Sequence, residues 1–332
     1  MVGHAGARLL ADVADATGLT GAFGEALAGL RQRQGGHDPG RVAVDLAVMI
    51  ADGGEAIADL AVLLRDQADL FGAVASDPTA WRLLSGMDSE ALARLRMARA
   101  RAREVAWAQT CETRGGLPAA TAAGLPIPGL VLDLDASIVI CHSEKESATR
   151  TWKKTFGYHP LFCFLDNTRE ALSGLLHEGR VGSNTTADHI TVLDSALEQI
   201  PDAHRYGTEV IIRCDSAGCT QGFLAHIRSL REHGINTFFS VPLPTVTTTC
   251  GTGPKSTQSL YSIDPVTAAV GRDRPALPVG RHSLVDLAVA ATMILERVAE
   301  PPRAGGDILA MHAERVRASP PVRGRRIATF WP

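Results

Sequence analysis

The chain has 332 residues, a formal net charge of −3, 45% hydrophobic residues and 21% charged residues. This is the profile of an ordinary globular protein of about two domains, and the near-neutral balance leaves only local basic patches for any contact with nucleic acid. No apolar run is long enough for a bilayer and the first residues lack the apolar core of a secretion signal, so a cytoplasmic location without membrane contact is expected.

Residues 1–112 read as an all-helical N-terminal domain. Asp38-Pro39-Gly40 forms a turn, and the apolar run after it stops at Gly53-Gly54. Ile57, Leu60, Leu63 and Leu64 recur at helical spacing. Asp77 is a candidate N-cap with Pro78 at the first helical position, and Gly86 closes that helix. A longer helix begins near Asp88 and carries Arg94, Arg96, Arg99, Arg101 and Arg103. This arginine run reads either as a solvated face or as a DNA-backbone contact, with the solvated face preferred. Residues 113–128, rich in Gly, Pro and Ala, read as a linker or an ordered extended connection at the domain boundary.

From Gly129 strands and helices alternate. "LVLDLDASIVI" is a strand, and "LFCFLDN" and "ALSGLLHEG" complete an antiparallel meander. There follow a helix entered through Asn184 or Thr185, the strand "EVIIRCDSAG", a helix ended by Gly234, and the strand "INTFFSVPL". Three antiparallel strands followed by αβαβ predict an α/β fold over residues 129–250, a mixed sheet with helices packed on it. Residues 251–332 hold nine of the 18 prolines and little periodicity outside 283–300, so a divergent, poorly packed tail is expected.

Asp133 and Asp135 lie in a strand otherwise built for burial, where an unpaired carboxylate is costly. Alternation places Asp133, Asp135 and Ser137 on one face and Leu132, Leu134, Ala136 and Ile138 on the other. Asp215 closes the fourth strand just before Ser216-Ala217-Gly218. Carboxylates at strand ends of an α/β sheet lie where ligands bind. Two of them from separate strands suit Mg²⁺, which completes its shell with water and phosphate oxygens. The competing reading of Asp215 is a turn or helix cap. After the first strand, His142, Lys145, Arg150, Lys153, Lys154 and His159 make a basic segment. It is either a solvated loop or a phosphate contact beside the metal site. His189, His204, His226 and His233 read as structural or surface residues. The six cysteines (Cys111, Cys141, Cys163, Cys214, Cys219 and Cys250) form no Cys-x-x-Cys pair, so a zinc ribbon or a disulfide framework lacks support.

Taken in order, "LVLDLDASIVICHSEKE", "WKKTFGYHPLFCFLDN", "GSNTTADHI" and "VIIRCDSAG" resemble the DDE-type insertion-sequence transposases common in high-GC bacteria. That group carries Asp-x-Asp-x-Thr, His-Ser-x-Lys-Glu, Phe-Gly-x-His-Pro, Gly-Ser-Asn-x-x-x-Asp-His and Asp-Ser/Gly-Ala-Gly in this order. The resemblance runs from about Asp38 to Pro244. It implies an RNase H-like core behind an N-terminal domain that binds element ends. It also implies DNA strand cleavage and transfer dependent on Mg²⁺, with Mn²⁺ as a possible substitute. The implied partners are terminal inverted repeats, target DNA and a second copy of the chain in a synaptic homodimer. The first family acid carries over to Asp135, with Asp133 as neighbour and second choice, and the second acid to Asp215. Ser137 replaces the commoner threonine. His142, Lys145, Arg150, Lys153 and Lys154 become the DNA contacts.

The family's third acid is a Glu on a helix far downstream, after a β-rich insertion. Nothing after Cys250 resembles that region, and Glu296 and Glu314 are only formal candidates. An out-of-frame or degenerate tail with impaired strand transfer is the expectation. Two alternatives stand beside it. One is a haloacid-dehalogenase-type phosphatase, with Asp133 as nucleophile and Asp135 as acid/base. The other is a DNA-binding remnant without catalysis.

Overall fold

The computed structural model describes residues 5–31, 33, 35–122, 124–141, 147–181 and 185–243, together with the backbone of Leu260–Ile263. The helical region consists of α1 (Ala5–Ala16), α2 (Leu19–Ala26), α3 (Pro39–Ala51), α4 (Asp59–Leu63), α5 (Ala68–Phe71), α6 (Asp77–Ser85) and α7 (Ser89–Arg114). Asp38 caps α3 by accepting from the Gly40 and Arg41 amides at 2.9 and 3.2 Å, with Pro39 in the first turn. Asp88 caps α7 by accepting from the Ala91 amide at 2.7 Å. Both take up amides that have no partner inside the helix. α3 forms the centre of this region, with every residue from Pro39 to Met49 except Arg41 buried. α2 crosses it so closely that a Cβ on Gly40 would lie 2.0 Å from the Gly24 nitrogen.

Two expectations for this region need correction. The run around Leu60 is not one helix: it breaks into α4, a 3-10 turn at 65–67 and α5. Arg65 turns aside there to reach Asp77 at 2.9 Å, a tertiary contact that helical spacing cannot announce. The cap of α6 is Ser76, and Asp77 is already inside the helix.

Asp45 is buried in α3, and the Arg41 Nε donates to it at 2.9 Å. Burial pushes its pKa up from 3.8 to about 6, and the Arg41 charge offsets only part of that shift. The unfolded chain therefore ionises first as pH rises, and the folded state keeps the proton longer. This contribution to stability is full below about pH 4 and is lost as pH rises to about 6, a change of about 3 kcal/mol at about 1.4 kcal/mol per pKa unit. Asp45→Asn should remove this slope from urea melts taken across that range. An unchanged slope in the variant would show that Asp45 does not titrate in this window.

The second region is built on β3 (Leu130–Ala136), preceded by the hairpin β1 (Ala120–Ala122) and β2 (Leu125–Ile127). β4 (Val139–Ile140), β5 (Thr149–Arg150) and β6 (Phe156–Tyr158) form a separate three-stranded sheet in the order β4-β6-β5. The chain continues through β7 (Leu161–Leu165), β8 (Glu170–Leu175), α8 (Thr186–Glu198), α9 (Asp202–Arg205), β9 (Val210–Cys214), α10 (Gln221–Ser229), β10 (Thr237–Leu243) and β11 (Leu260–Ile263). The main sheet has the order β11-β10-β9-β3-β7-β8. β3 pairs antiparallel with β7 and parallel with β9, and β9 pairs parallel with β10. Leu130, Leu132 and Leu134 face α8 and α10, where Val192, Leu193, Phe223 and Ile227 fill the core. On the opposite face Val131 and Ile211 pack under the β1–β2 hairpin through Ala120 and Ile127.

Here too the structure departs from the sequence pattern. The first strand does not run through to Ile140. It ends at Ala136, where the Ser137 amide donates to the Pro160 carbonyl at 3.1 Å, and Val139–Ile140 join the small sheet. Gly157 permits this switch, because a Cβ there would lie 1.9 Å from the Val139 carbonyl. The Gly- and Pro-rich segment at 113–128 is in part the ordered hairpin over the sheet. A sixth strand, β11, extends the edge where no period was visible. The helix-like stretch at 283–300 and the rest of 251–332 lie outside the described residues.

The preferred solvated reading of the α7 arginines fails for two of them. Arg99 and Arg103 are 4% and 3% exposed, at the junction of helices and sheet. Arg103 Nε donates to Glu170 at 2.7 Å, and Trp107 Nε1 and the Thr168 hydroxyl donate to the other Glu170 oxygen at 2.8 and 2.6 Å. Gln199 accepts from Arg99 at 2.9 Å and Arg103 at 3.1 Å, and its amide returns to the Arg96 carbonyl at 3.1 Å. Arg99 also donates to the Leu172 carbonyl. Breaking a buried pair by removing one partner typically costs about 3–5 kcal/mol, because the other charge is left uncompensated. Glu170→Ala should therefore lower stability by about that much in denaturant melts, and a loss below 1 kcal/mol, on the order of a surface pair, would refute the clamp.

Candidate active site

The open face of β3 changes character along its length. Val131 lies beside Ile211 beneath the hairpin; two residues on, Asp133 lies beside Arg213. The register brings Leu134 beside Cys214, so the next residues out, Asp135 and Asp215, follow at the carboxyl ends of neighbouring parallel strands. Adjacent strands lie about 4.8 Å apart, so the two residues leave the sheet side by side. On the other flank Asp135 is paired with Phe162 and Asp133 with Phe164, and the two rings are 5.7 Å apart. Beyond Phe162 the partner is Gly174, which leaves that side of the face without a side chain.

Each candidate acid has a different environment. Both oxygens of Asp133 are engaged by Arg213, from Nε and Nη2 at 2.6 Å each. Arg213 also reaches Asp166 at 3.1 Å. Burial alone would lower the Arg213 pKa, but the bonds and charge of Asp133, joined by Asp166, outweigh it and raise the value. Asp135 is exposed at the strand end. Asp215 is half-buried, and its Oδ1 accepts from the Ala217 amide at 2.9 Å, so it does act as a turn cap. Its second oxygen makes no hydrogen bond among the described residues. The turn is tight: a Cβ on Gly218 would lie 2.3 Å from the Cys214 sulfur. Under the same face, burial and then the Asp133 charge push the Cys163 thiol well above its usual range, which keeps it neutral and inert.

Asp135 and Asp215 are the two carboxylates at this strand end. Among the described residues no group of three or more His, Cys, Asp or Glu could hold a metal ion. Glu296 and Glu314 lie outside them, as do His142 and Lys145. Arg150, Lys153 and Lys154 are exposed on the β5–β6 hairpin. His159 is buried, and its Nδ1 lies 3.1 Å from the Val181 carbonyl. His189 is likewise buried, packed on Phe223. His226 bonds Asp194 at 2.6 Å. Sequence reasoning missed Arg213. The available signal was a charged residue within an otherwise apolar strand, two before Asp215.

The mixed sheet with its preceding helices fits the comparison with protein families. The chain belongs to the DDE transposases: the model for the transposase DDE domain, group 1, matches residues 1–244. Proteins of this family act on DNA and generally use divalent metal ions. No curated protein matches the chain. Among the described residues no helix is long and apolar enough to cross a membrane. Family membership sets aside the phosphatase alternative, which in any case needed Asp133 as a free nucleophile.

Arg213→Ala should leave Asp133 without a counter-ion on a face where the pair is only 25% and 28% exposed. Loss of charge-assisted hydrogen bonds predicts a destabilisation of about 1.5–3 kcal/mol. Asp133→Asn in the same chain should recover part of it. Thermal melts of the three variants check this, and additive losses would show that the two residues are not coupled.

Proposed function

We propose that this chain is an insertion-sequence transposase whose core is RNase H-like, with Asp135 and Asp215 as ligands for Mg²⁺ and Mn²⁺ as a substitute. The observation that carries this reading is the placement of the two carboxylates at the ends of adjacent parallel strands, β3 and β9. The strand order supports the fold assignment: β3, β7 and β8 form an antiparallel meander, and β9 and β10 lie parallel to β3 on its other side. When bound there, the ion supplies Lewis acidity at the scissile phosphate and acidifies the attacking water or hydroxyl. The chain's own residues do the rest. Asp133 holds Arg213 through two bonds and so fixes a guanidinium beside the two ligands. The Ala217 amide fixes the Asp215 carboxylate in one rotamer. The helical region would bind the element ends, Arg150, Lys153 and Lys154 would contact the DNA backbone, and two copies would act together on the terminal inverted repeats and the target. A cytoplasmic location goes with this role.

A second reading rests on the same geometry. Among the described residues no group of three or more His, Cys, Asp or Glu could hold a metal ion, and the family match stops at residue 244. Two carboxylates bind Mg²⁺ weakly, so strand transfer by this chain should be low, while DNA binding is retained.

Asp135→Asn and Asp215→Asn should each abolish Mn²⁺ binding in calorimetry and reduce any metal-dependent nicking of element-end DNA by at least about a hundredfold, on the scale of losing one catalytic group. DNA affinity in EDTA should stay within about twofold, since neither residue contributes a positive charge to counterion release. Metal binding that survives both substitutions would overturn the site. Efficient strand transfer by the wild-type chain would overturn the second reading and place a third ligand outside the described residues.

A further inference from the structure

The β5–β6 hairpin carries a feature that the metal site does not use. Trp152 is 66% exposed at its tip, between a buried Thr151 at 4% and two lysines. A single exposed aromatic needs no explanation on a loose loop, but this loop is firmly built. The Thr151 amide donates to the Thr155 carbonyl at 2.7 Å, the Lys154 amide to the Thr151 carbonyl at 2.9 Å, and the two threonine hydroxyls are 2.6 Å apart. Lys154 adopts a left-handed φ of 65°, a conformation that costs a non-glycine residue energy and persists only where its surroundings hold it. Lys153 Nζ lies 5.1 Å from the Trp152 ring centroid. Arg150 is the cross-strand partner of Phe156, itself 39% exposed, so the two share a face. Arg150, Lys153 and Lys154 have no acidic partner among the described residues.

The placement adds a direction. β4 begins three residues after β3 ends, and β7 leads back from the hairpin to pair Leu161 with Ala136. The hairpin therefore springs from the end of the sheet that carries Asp135. A fixed aromatic ring among uncompensated cations is how proteins hold single-stranded nucleic acid: cations follow the phosphates and bases stack on the ring. Stacking needs a free base face, which paired bases inside a duplex do not offer.

We propose that Trp152 stacks on an unpaired nucleotide at a DNA end or nick, with Lys153 and Lys154 on the flanking phosphates, so that the hairpin selects opened ends over continuous duplex. This rests on the reading of the chain as a DNA transposase and adds a specificity residue to it.

The test is fluorescence anisotropy in EDTA with the full chain, using a blunt duplex and the same duplex carrying a short unpaired 3′ tail. The wild-type chain should prefer the tailed probe. Trp152→Ala should weaken tailed binding by about tenfold, the scale of one lost base stack. It should leave blunt binding within twofold, whereas Trp152→Phe keeps most of the preference. Lys153→Ala with Lys154→Ala should weaken both probes and lower the salt slope by about 1.5, for two phosphate contacts. Because Trp152 is exposed, its variants should melt with the wild-type chain. The proposal is overturned if Trp152→Ala keeps the preference, or weakens both probes alike, or changes only the oligomeric state in size-exclusion runs. If the wild-type chain binds neither probe, the transposase reading falls with it; if it binds both and the variant still discriminates, only this proposal falls.

Discussion

Glu170 has a 1% exposed side chain at the start of β8 and receives hydrogen bonds from Arg103, Trp107 and Thr168. Its charge is tolerable there only because a guanidinium and two neutral donors replace the lost water. Through it the C-terminal half of α7 is fixed to the sheet, while Ala91, Leu92, Leu95 and Ala98 of the same helix belong to the helical core. One helix of 26 residues, about 39 Å long at 1.5 Å per residue, thus belongs to both cores. Its two buried arginines, Arg99 and Arg103, carry charge into the junction and are hydrogen-bonded there to β8 and to Gln199. Gln199, at the end of α8, closes the network by accepting from both arginines.

The same principle recurs on the open face of the sheet. An apolar layer under the β1–β2 hairpin gives way to the Asp133–Arg213 pair and then to the carboxylates at the strand ends. The pair occupies the transition from dry to wet, where a carboxylate is partly desolvated and a bidentate arginine is its best partner. Asp133 is therefore spoken for, while Asp135 and Asp215 stand beyond it at the rim. A two-residue difference along one strand separates a carboxylate held by Arg213 from one at the exposed strand end.

Family membership and architecture agree, since the matched residues 1–244 take in the helical region and the strands up to β10. The small β4-β6-β5 sheet is the main elaboration between the first two strands of the core. It raises an aromatic and basic tip from the end of the sheet that carries Asp135 and Asp215.

Much of the local structure was legible in the sequence. The turn at Asp38-Pro39-Gly40, the helix starts near Asp88 and Thr185, the stop at Gly234 and the strands at 161–165, 210–214 and 237–243 follow from hydrogen-bonding chemistry and residue patterning within a few positions. The order of strands and helices also indicated a mixed sheet. The motifs around Asp135 and Asp215 were enough to single out both residues, because a carboxylate in an apolar strand is costly wherever the strand ends up. What the sequence left open depended on partners distant in the chain. Arg99 and Arg103 looked solvated because Glu170 and Gln199, which bury them, lie 67 to 100 residues away. The ion pairing of Asp133 could not be read from the sequence, because only the neighbouring strand brings Arg213 to it. The switch of sheet after Ala136 required the close approach at Gly157, a contact between backbones rather than side-chain types. Composition and period are properties of a segment and can be read locally; the state of a charge depends on what packs against it, and that is decided only when the chain folds.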